Sequence, residues 1–166
     1  MPEALFILKA ALAYAEAGIC VLPVSAGASC GKPAKQPLTA HGVHDASNDP
    51  RIVEAMFRAN PFAALAVACG SRSGIVVVDC DRHAGQADGV AELAKLESEG
   101  FAIPRGAPRA ATAGGGVHYW LRVPAGTTIK SRKLRPGIDL LADGKYALAA
   151  PSILDDGRPY RWMMEF

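Results

Sequence analysis

Gly74-Ile75-Val76-Val77-Val78-Asp79-Cys80-Asp81 is the stretch on which the reading of this chain turns. Four β-branched residues in a row, entered from a glycine, predict a buried strand whose end carries two carboxylates. In an extended chain alternate side chains share a face, so Asp79 and Asp81 project together while Cys80 points the other way. Oxygen ligands so placed suit one or two hard divalent cations, Mg²⁺ or Mn²⁺, which keep open positions for water and substrate phosphates. The plain alternative is a solvated turn at a strand end.

Working outward, Ala64–Ala68 and Ile75–Val78 are two apolar runs separated by Gly70-Ser71-Arg72-Ser73-Gly74, which predicts a hairpin delivering the Asp pair. Upstream, a helix over Glu3–Ala17 closes at Gly18, a strand covers Ile19–Val24, and Ser25–Ala40 reads as a functional loop. Ser47-Asn48-Asp49-Pro50 starts a short helix, Arg51–Ala59, that stops at Asn60-Pro61. Downstream, Asp88–Gly100 is helical, and Ala102–Ala111 is loop-like because Pro104 and Pro108 exclude regular structure.

Thr112-Ala113-Gly114-Gly115-Gly116 leads into a strand over Val117–Val123. Alternation assigns Val117, Tyr119, Leu121 and Val123 to the core face and His118, Trp120 and Arg122 to the other. Ile138–Leu141 and Tyr146–Ala150 read as a second hairpin around Asp143-Gly144, with Asp139 near its start, and Tyr160–Met163 adds an edge strand. The class is α+β, with no internal repeat.

With 166 residues, half of them hydrophobic and a fifth charged, the chain is expected to fold as one catalytic unit over 1–166. A net charge of +2 lacks the basic excess of a protein that coats nucleic acid, so nucleic-acid contact has to be local. Candidate cations are Lys130, Arg132, Lys133 and Arg135, with Lys32 and Lys35, although such clusters equally form solvated faces. Cys20, Cys30, Cys69 and Cys80 show no CxxC spacing and no leader precedes them, so reduced thiols and a cytoplasmic location are expected. Cys30, His41 and His44 are too scattered to argue for zinc. No apolar run reaches the ~18 residues that cross a bilayer.

His118 follows three glycines, and glycines let backbone amides approach an anion while the imidazole supplies a further donor. No Gly-Lys-Ser/Thr follows, so this is not a P-loop, and a strand histidine is equally a satisfied structural residue. Asp139 supplies a third carboxylate on a strand adjacent to that of Asp79 and Asp81, or else an edge-strand charge. The joint order Asp-x-Asp, Gly-Gly-x-His, Ile-Asp is what raises the functional reading above these alternatives.

With that order in hand, the chain resembles the bifunctional primase/polymerase (Prim-Pol) domains of the archaeo-eukaryotic primase superfamily over nearly its whole length. The resemblance runs through Tyr14–Gly18 with Val21–Val24, Lys32-Pro33, Lys35-Gln36-Pro37-Leu38 and Asp45–Asp49. It continues through Val76–Asp81, Thr112–His118, Gly137-Ile138-Asp139, Ala150-Pro151-Ser152 and Tyr160-Arg161-Trp162. Ala150 departs from the commoner Pro-Pro-Ser.

The resemblance implies a small α/β module packed on an RRM-like antiparallel sheet with flanking helices. It implies Asp79, Asp81 and Asp139 as ligands of two Mg²⁺ or Mn²⁺ ions and His118 as the contact to the incoming nucleotide's phosphates. The Gly114, Gly115 and Gly116 amides would join His118 there. Lys32, Lys35, Arg132, Lys133 or Arg135 would meet triphosphate or template. The activity implied is template-directed nucleotidyl transfer from a dNTP or NTP to a 3′-hydroxyl on single-stranded DNA or a primer-template, in proteins often fused to a helicase and carried by plasmids or phages.

Two rival readings remain. A haloacid-dehalogenase-type phosphatase would use the first Asp as nucleophile, but Arg82-His83-Ala84-Gly85 follows where a small Thr/Val is expected. A catalytically incomplete module would bind nucleotide or single-stranded nucleic acid on the same sheet, where only Trp120 shares the His118 face.

Overall fold

The computed structural model describes residues 2–124 and 126–163. Helix α1 (Pro2–Glu16) and strand β1 (Val21–Val24) precede two short 3₁₀ turns, Ala28–Cys30 and Gly42–Asp45. Helix α2 (Pro50–Ala59), β2 (Ala64–Ala68), β3 (Ile75–Cys80) and α3 (Gly89–Ser98) follow. The chain then runs through β4 (Arg109–Ala111), β5 (Val117–Arg122), β6 (Arg132–Arg135), β7 (Ile138–Leu141), β8 (Tyr146–Leu148) and β9 (Arg161–Met163). Both later helices start where the sequence places a cap: the Asp49 side chain accepts from the Arg51 amide, and that of Asp88 from the Val90 and Ala91 amides.

The strands form two antiparallel sheets, one in the order β1-β2-β8 and one in the order β6-β7-β3-β5-β4-β9. One core lies between them: Leu8, Ala11 and Ala15 of α1 and Val53 and Phe57 of α2 pack with Val21, Leu65, Val67, Val77 and Trp120. Behind the large sheet, Val78, Cys80 and Ile138 pack against Leu93 of α3. The fold is therefore mixed α/β, with antiparallel sheets and three helices.

Three local expectations give way. The runs at 64–68 and 75–78 are not a hairpin, since β2 and β3 lie in different sheets and a Gly70–Ile75 bridge closes only the turn between them. Each strand has two edges, and β1 and β8 occupy those of β2 while β5 and β7 occupy those of β3. The Asp143-Gly144 turn is a crossover for the same reason, carrying the chain from β7 in the large sheet to β8 in the small one. Residues 109–111, read as loop, form β4 because β5 and β9 offer partners on both sides.

The assignment of faces on β5 also reverses. His118 and Trp120 are the buried pair, turned into the core between the sheets, whereas Tyr119 and Leu121 pack on the α3 side and are only half-buried. Alternation alone does not show that this strand is covered on both faces.

The two crossovers are stapled together. The Asp143 carboxylate accepts from the Ser71 amide at 2.9 Å, the Ser71 hydroxyl at 2.5 Å and the Ile129 amide at 2.7 Å. The Ser71 hydroxyl, then the Ser71 and Ile129 amides, hold this carboxyl below its ordinary 3.8. A depressed folded value means stability that is present above the unfolded value and lost as pH falls through the folded one. The gap in melting temperature between wild type and Asp143→Asn is thus expected to be widest at neutral pH and to close as pH falls below the ordinary carboxyl range.

Ser152 performs a similar task beyond the end of β8. Its buried hydroxyl accepts from the Leu65 amide at 2.8 Å and donates to the Leu65 carbonyl at 3.0 Å. Ser152→Ala leaves that buried amide unmatched and is expected to cost about 1–3 kcal/mol in urea unfolding.

Candidate active site

Strand pairing sets one transverse row of residues across the large sheet. Lys133 of β6 faces Asp139 of β7, Asp139 faces Asp79 of β3, Asp79 faces His118 of β5, His118 faces Ala110 of β4, and Ala110 faces Trp162 of β9. Directly opposed residues share a sheet face. Asp79 has the same parity as Val77, so the row lies on the inner face, where the core opens to a cavity.

Asp79 and His118 are the buried centre of the row, with side chains 18% and 6% exposed and Oδ1 3.2 Å from Nε2. The His118 ring stands between Trp120, edge-on at 6.0 Å, and Tyr160 at 5.8 Å. Asp79 Oδ1 meets His118 Nε2 without hydrogen-bond geometry, and among the described residues neither it nor the buried His118 Nδ1 has a hydrogen-bond partner, a costly state that another group would relieve.

Asp81 lies one step past β3, pinned by its amide donating to the Gly137 carbonyl at 2.9 Å and its carbonyl accepting from the Gly89 amide at 2.8 Å. Burial, and then the neighbouring Asp79 charge, push its carboxyl up, while His83 and Lys35 draw it back. Burial and then Asp79 and Asp81 also push the Tyr160 hydroxyl up, because its anion would join two carboxylates. Cys80 points to the α3 side, where burial first and then the same carboxylates push its thiol up to about 12.

The glycine run forms the turn between β4 and β5. The Gly115 amide donates to the Thr112 carbonyl and the Gly116 amide to the Thr112 hydroxyl, both at 3.0 Å, and Gly114 is the member of the run that lines the cavity. Gly116 is required by contact, since a Cβ there would overlap the Cys80 carbonyl oxygen.

Two cavities meet at this turn, sharing Lys35 and Gly114. The first, about 320 Å³, is lined by Asp79, Asp81 and His118 with Leu141 and Tyr160, and by Tyr146 and Leu148 of β8. The second, about 340 Å³, is cationic, lined by Lys35, Arg82, His83 and Arg158. Such volumes fall in the range of small-molecule sites.

The family model described as bifunctional DNA primase/polymerase, N-terminal, matches residues 11–165. The chain belongs to the Prim-Pol family. That membership suggests primase or polymerase activity, with nucleotides and DNA as what such a domain binds. No curated protein matches the chain. No helix among the described residues is long and apolar enough to cross a membrane.

In this Prim-Pol domain, Asp79, Asp81, His118, Gly114 and Lys35 gather around the cavities. Asp139 joins the row but turns its carboxylate to Lys133, with Nζ 3.3 Å from Oδ1. Among the described residues no three His, Cys, Asp or Glu side chains stand close enough to hold one metal ion. The other predicted cations lie apart. Arg132 and Arg135 oppose Leu140 and Ile138, which face α3, and Arg135 pairs with Glu99. Lys32 donates to the Pro37 carbonyl.

Arg82, His83, Lys145, Tyr146, Arg158 and Tyr160 line the cavities without having been singled out as site residues. Arg82-His83, directly after the Asp pair, carried a sequence signal; Arg158 and Lys145 come from distant turns and carried none.

Proposed function

We propose that this chain transfers a nucleotidyl group from a dNTP or NTP to a 3′-hydroxyl, directed by a single-stranded DNA template. The observation that carries the reading is the in-register row Asp139–Asp79–His118 beside Asp81, opening on an acidic cavity that joins a cationic one through Lys35 and Gly114. A nucleoside triphosphate needs both: carboxylates to hold metal near the α-phosphate, and cations for the β- and γ-phosphates. We read the three- and six-stranded sheets as the small α/β module and the RRM-like sheet of the family.

Asp79 and Asp81 fit a divalent cation as a pair, and among the described residues no third such side chain stands within reach of them as they lie. Asp79 presents a buried oxygen that touches His118 Nε2 and has no hydrogen-bond partner among the described residues, and Asp81 is destabilised as an anion by burial and by Asp79. Bound by Asp79, Asp81 and Asp139, Mg²⁺ or Mn²⁺ would supply Lewis-acid charge to the attacking oxygen and to the leaving pyrophosphate. Asp139 has to exchange Lys133 to take part. His118, fixed between Trp120 and Tyr160, turns its ring toward the same cavity. Lys35 carries charge that phosphate oxygens meet, Arg82 and Arg158 would add theirs on exchanging Asp88 and Asp156, and Tyr146 and Leu148 form an apolar wall for sugar and base.

The test is incorporation of labelled dNTPs and NTPs with Mg²⁺ or Mn²⁺ on primed and unprimed single-stranded templates. Template-dependent product supports the reading, and product in the unprimed lane adds priming. The turned-away Asp139 favours one second reading, a module that binds nucleotide without turnover. Metal-dependent nucleotide binding with no product on any template would select it.

A further inference from the structure

The cation shared by the two cavities sits on unusual backbone. Lys35 has φ 71°, and among the described residues no other non-glycine residue has a positive φ. It occupies the third place of the turn Pro33–Gln36, closed by the Gln36 amide donating to the Pro33 carbonyl, where glycine or asparagine is the ordinary occupant. A lysine there bears a steric cost that glycine avoids, and such costs persist where the surroundings over-determine the conformation.

The surroundings here are specific. The Lys35 amide donates to the Ser25 carbonyl at 2.7 Å, and the Ser25 amide donates to the Gln36 carbonyl at 2.7 Å, so the segment runs as an extension beside β1. The remaining polar group of the Lys35 backbone, its carbonyl, accepts from the Tyr146 hydroxyl at 2.9 Å. Tyr146 starts β8, 111 residues further along the chain, and its side chain lines the acidic cavity. The phenol therefore ties the start of β8, where it lines the cavity, to the strained turn.

The geometry points to Tyr146 as a positioning residue: its hydroxyl straps the Lys35 carbonyl so that the strained turn presents the Lys35 ammonium between the carboxylate cavity and the cationic cavity, for the phosphates of a nucleoside triphosphate. This assignment rests on the nucleotide reading above and adds what holds the cation in place. It makes opposite demands on one side chain. Lys35→Gly relieves the backbone and removes the charge, so it is expected to raise the melting temperature by about 2–4 °C. The same substitution should weaken phosphate binding about tenfold. Tyr146→Phe keeps the ring on the cavity wall and removes only the strap; it is expected to weaken binding about five- to tenfold.

The test measures melting temperature together with binding of dATP and of inorganic tripolyphosphate in the presence of Mg²⁺. Wild type, Lys35→Gly, Tyr146→Phe and the double variant are compared. Because Tyr146 acts through Lys35, its loss should add little in the Lys35→Gly background. An equal further loss in that background would make Tyr146 a direct ligand contact and overturn the strap. So would wild-type affinity in Tyr146→Phe, or a lowered melting temperature in Lys35→Gly. Wild type that binds neither dATP nor tripolyphosphate would instead overturn the nucleotide reading, and this assignment with it.

Discussion

Asp79→Asn is expected to abolish template-directed incorporation, by on the order of 10³-fold or more, while the metal-free protein melts at the same temperature or higher. Asp79 is the middle of the row, opposed by Asp139 on one side and His118 on the other, with Asp81 two residues on. Its carboxylate is largely buried, touches His118 Nε2 through an oxygen that has no hydrogen-bond partner among the described residues, and repels Asp81. The amide keeps the shape and removes the charge, so the fold loses a repulsion and the site loses the anion a cation needs. Heating the protein with and without Mg²⁺ separates the two effects. A ligand that binds only the folded state raises the melting point by mass action, and that rise should be present in wild type and missing in the variant. Incorporation retained by Asp79→Asn would sink the proposed chemistry.

The second large effect is expected at Gly116. A methyl group there meets the Cys80 carbonyl oxygen, with the Asp81 Cα and the Cys80 carbonyl carbon close behind, and all three are backbone with no side chain to swing aside. The β4–β5 turn must then move off the end of β3, carrying His118 with it and disturbing Asp81. Gly116→Ala is therefore expected to cost about 3 kcal/mol in urea unfolding and to remove activity at temperatures where the protein is still folded. Gly115→Ala is the control. Its φ of 83° is strained for alanine, but its Cβ would meet nothing within 4 Å, so about 1 kcal/mol and near-normal turnover are expected. Equal losses at the two positions would show that flexibility of the glycine run matters and that close packing on Cys80 does not.

Much of the local structure was legible from the residues. The caps at Asp49 and Asp88 mark helix starts because a side-chain oxygen satisfies amides that the first turn leaves open. The run Ile75–Val78 marks a buried strand because β-branched chains suit a pleated surface, and strand parity put Asp79 and Cys80 on opposite faces. Those inferences need only near neighbours. Turn signals were less dependable. Gly70–Gly74 and Asp143-Gly144 both looked like hairpins, and both are crossovers between sheets, because which strand edge a segment reaches is settled by distant partners.

The sequence by itself thus determined the strand that carries Asp79 and leads to Asp81, the glycine turn that leads to His118, and the family to which the chain belongs. Only the tertiary structure decided that Asp139, Asp79 and His118 stand in one row, that Arg132 and Arg135 face away from it, and that Lys35, Arg82 and Arg158 converge beside it. The reason is physical: face and neighbourhood along one strand follow from a two-residue period, whereas the pairing of strands and the meeting of loops depend on which surfaces the two sheets bury against each other.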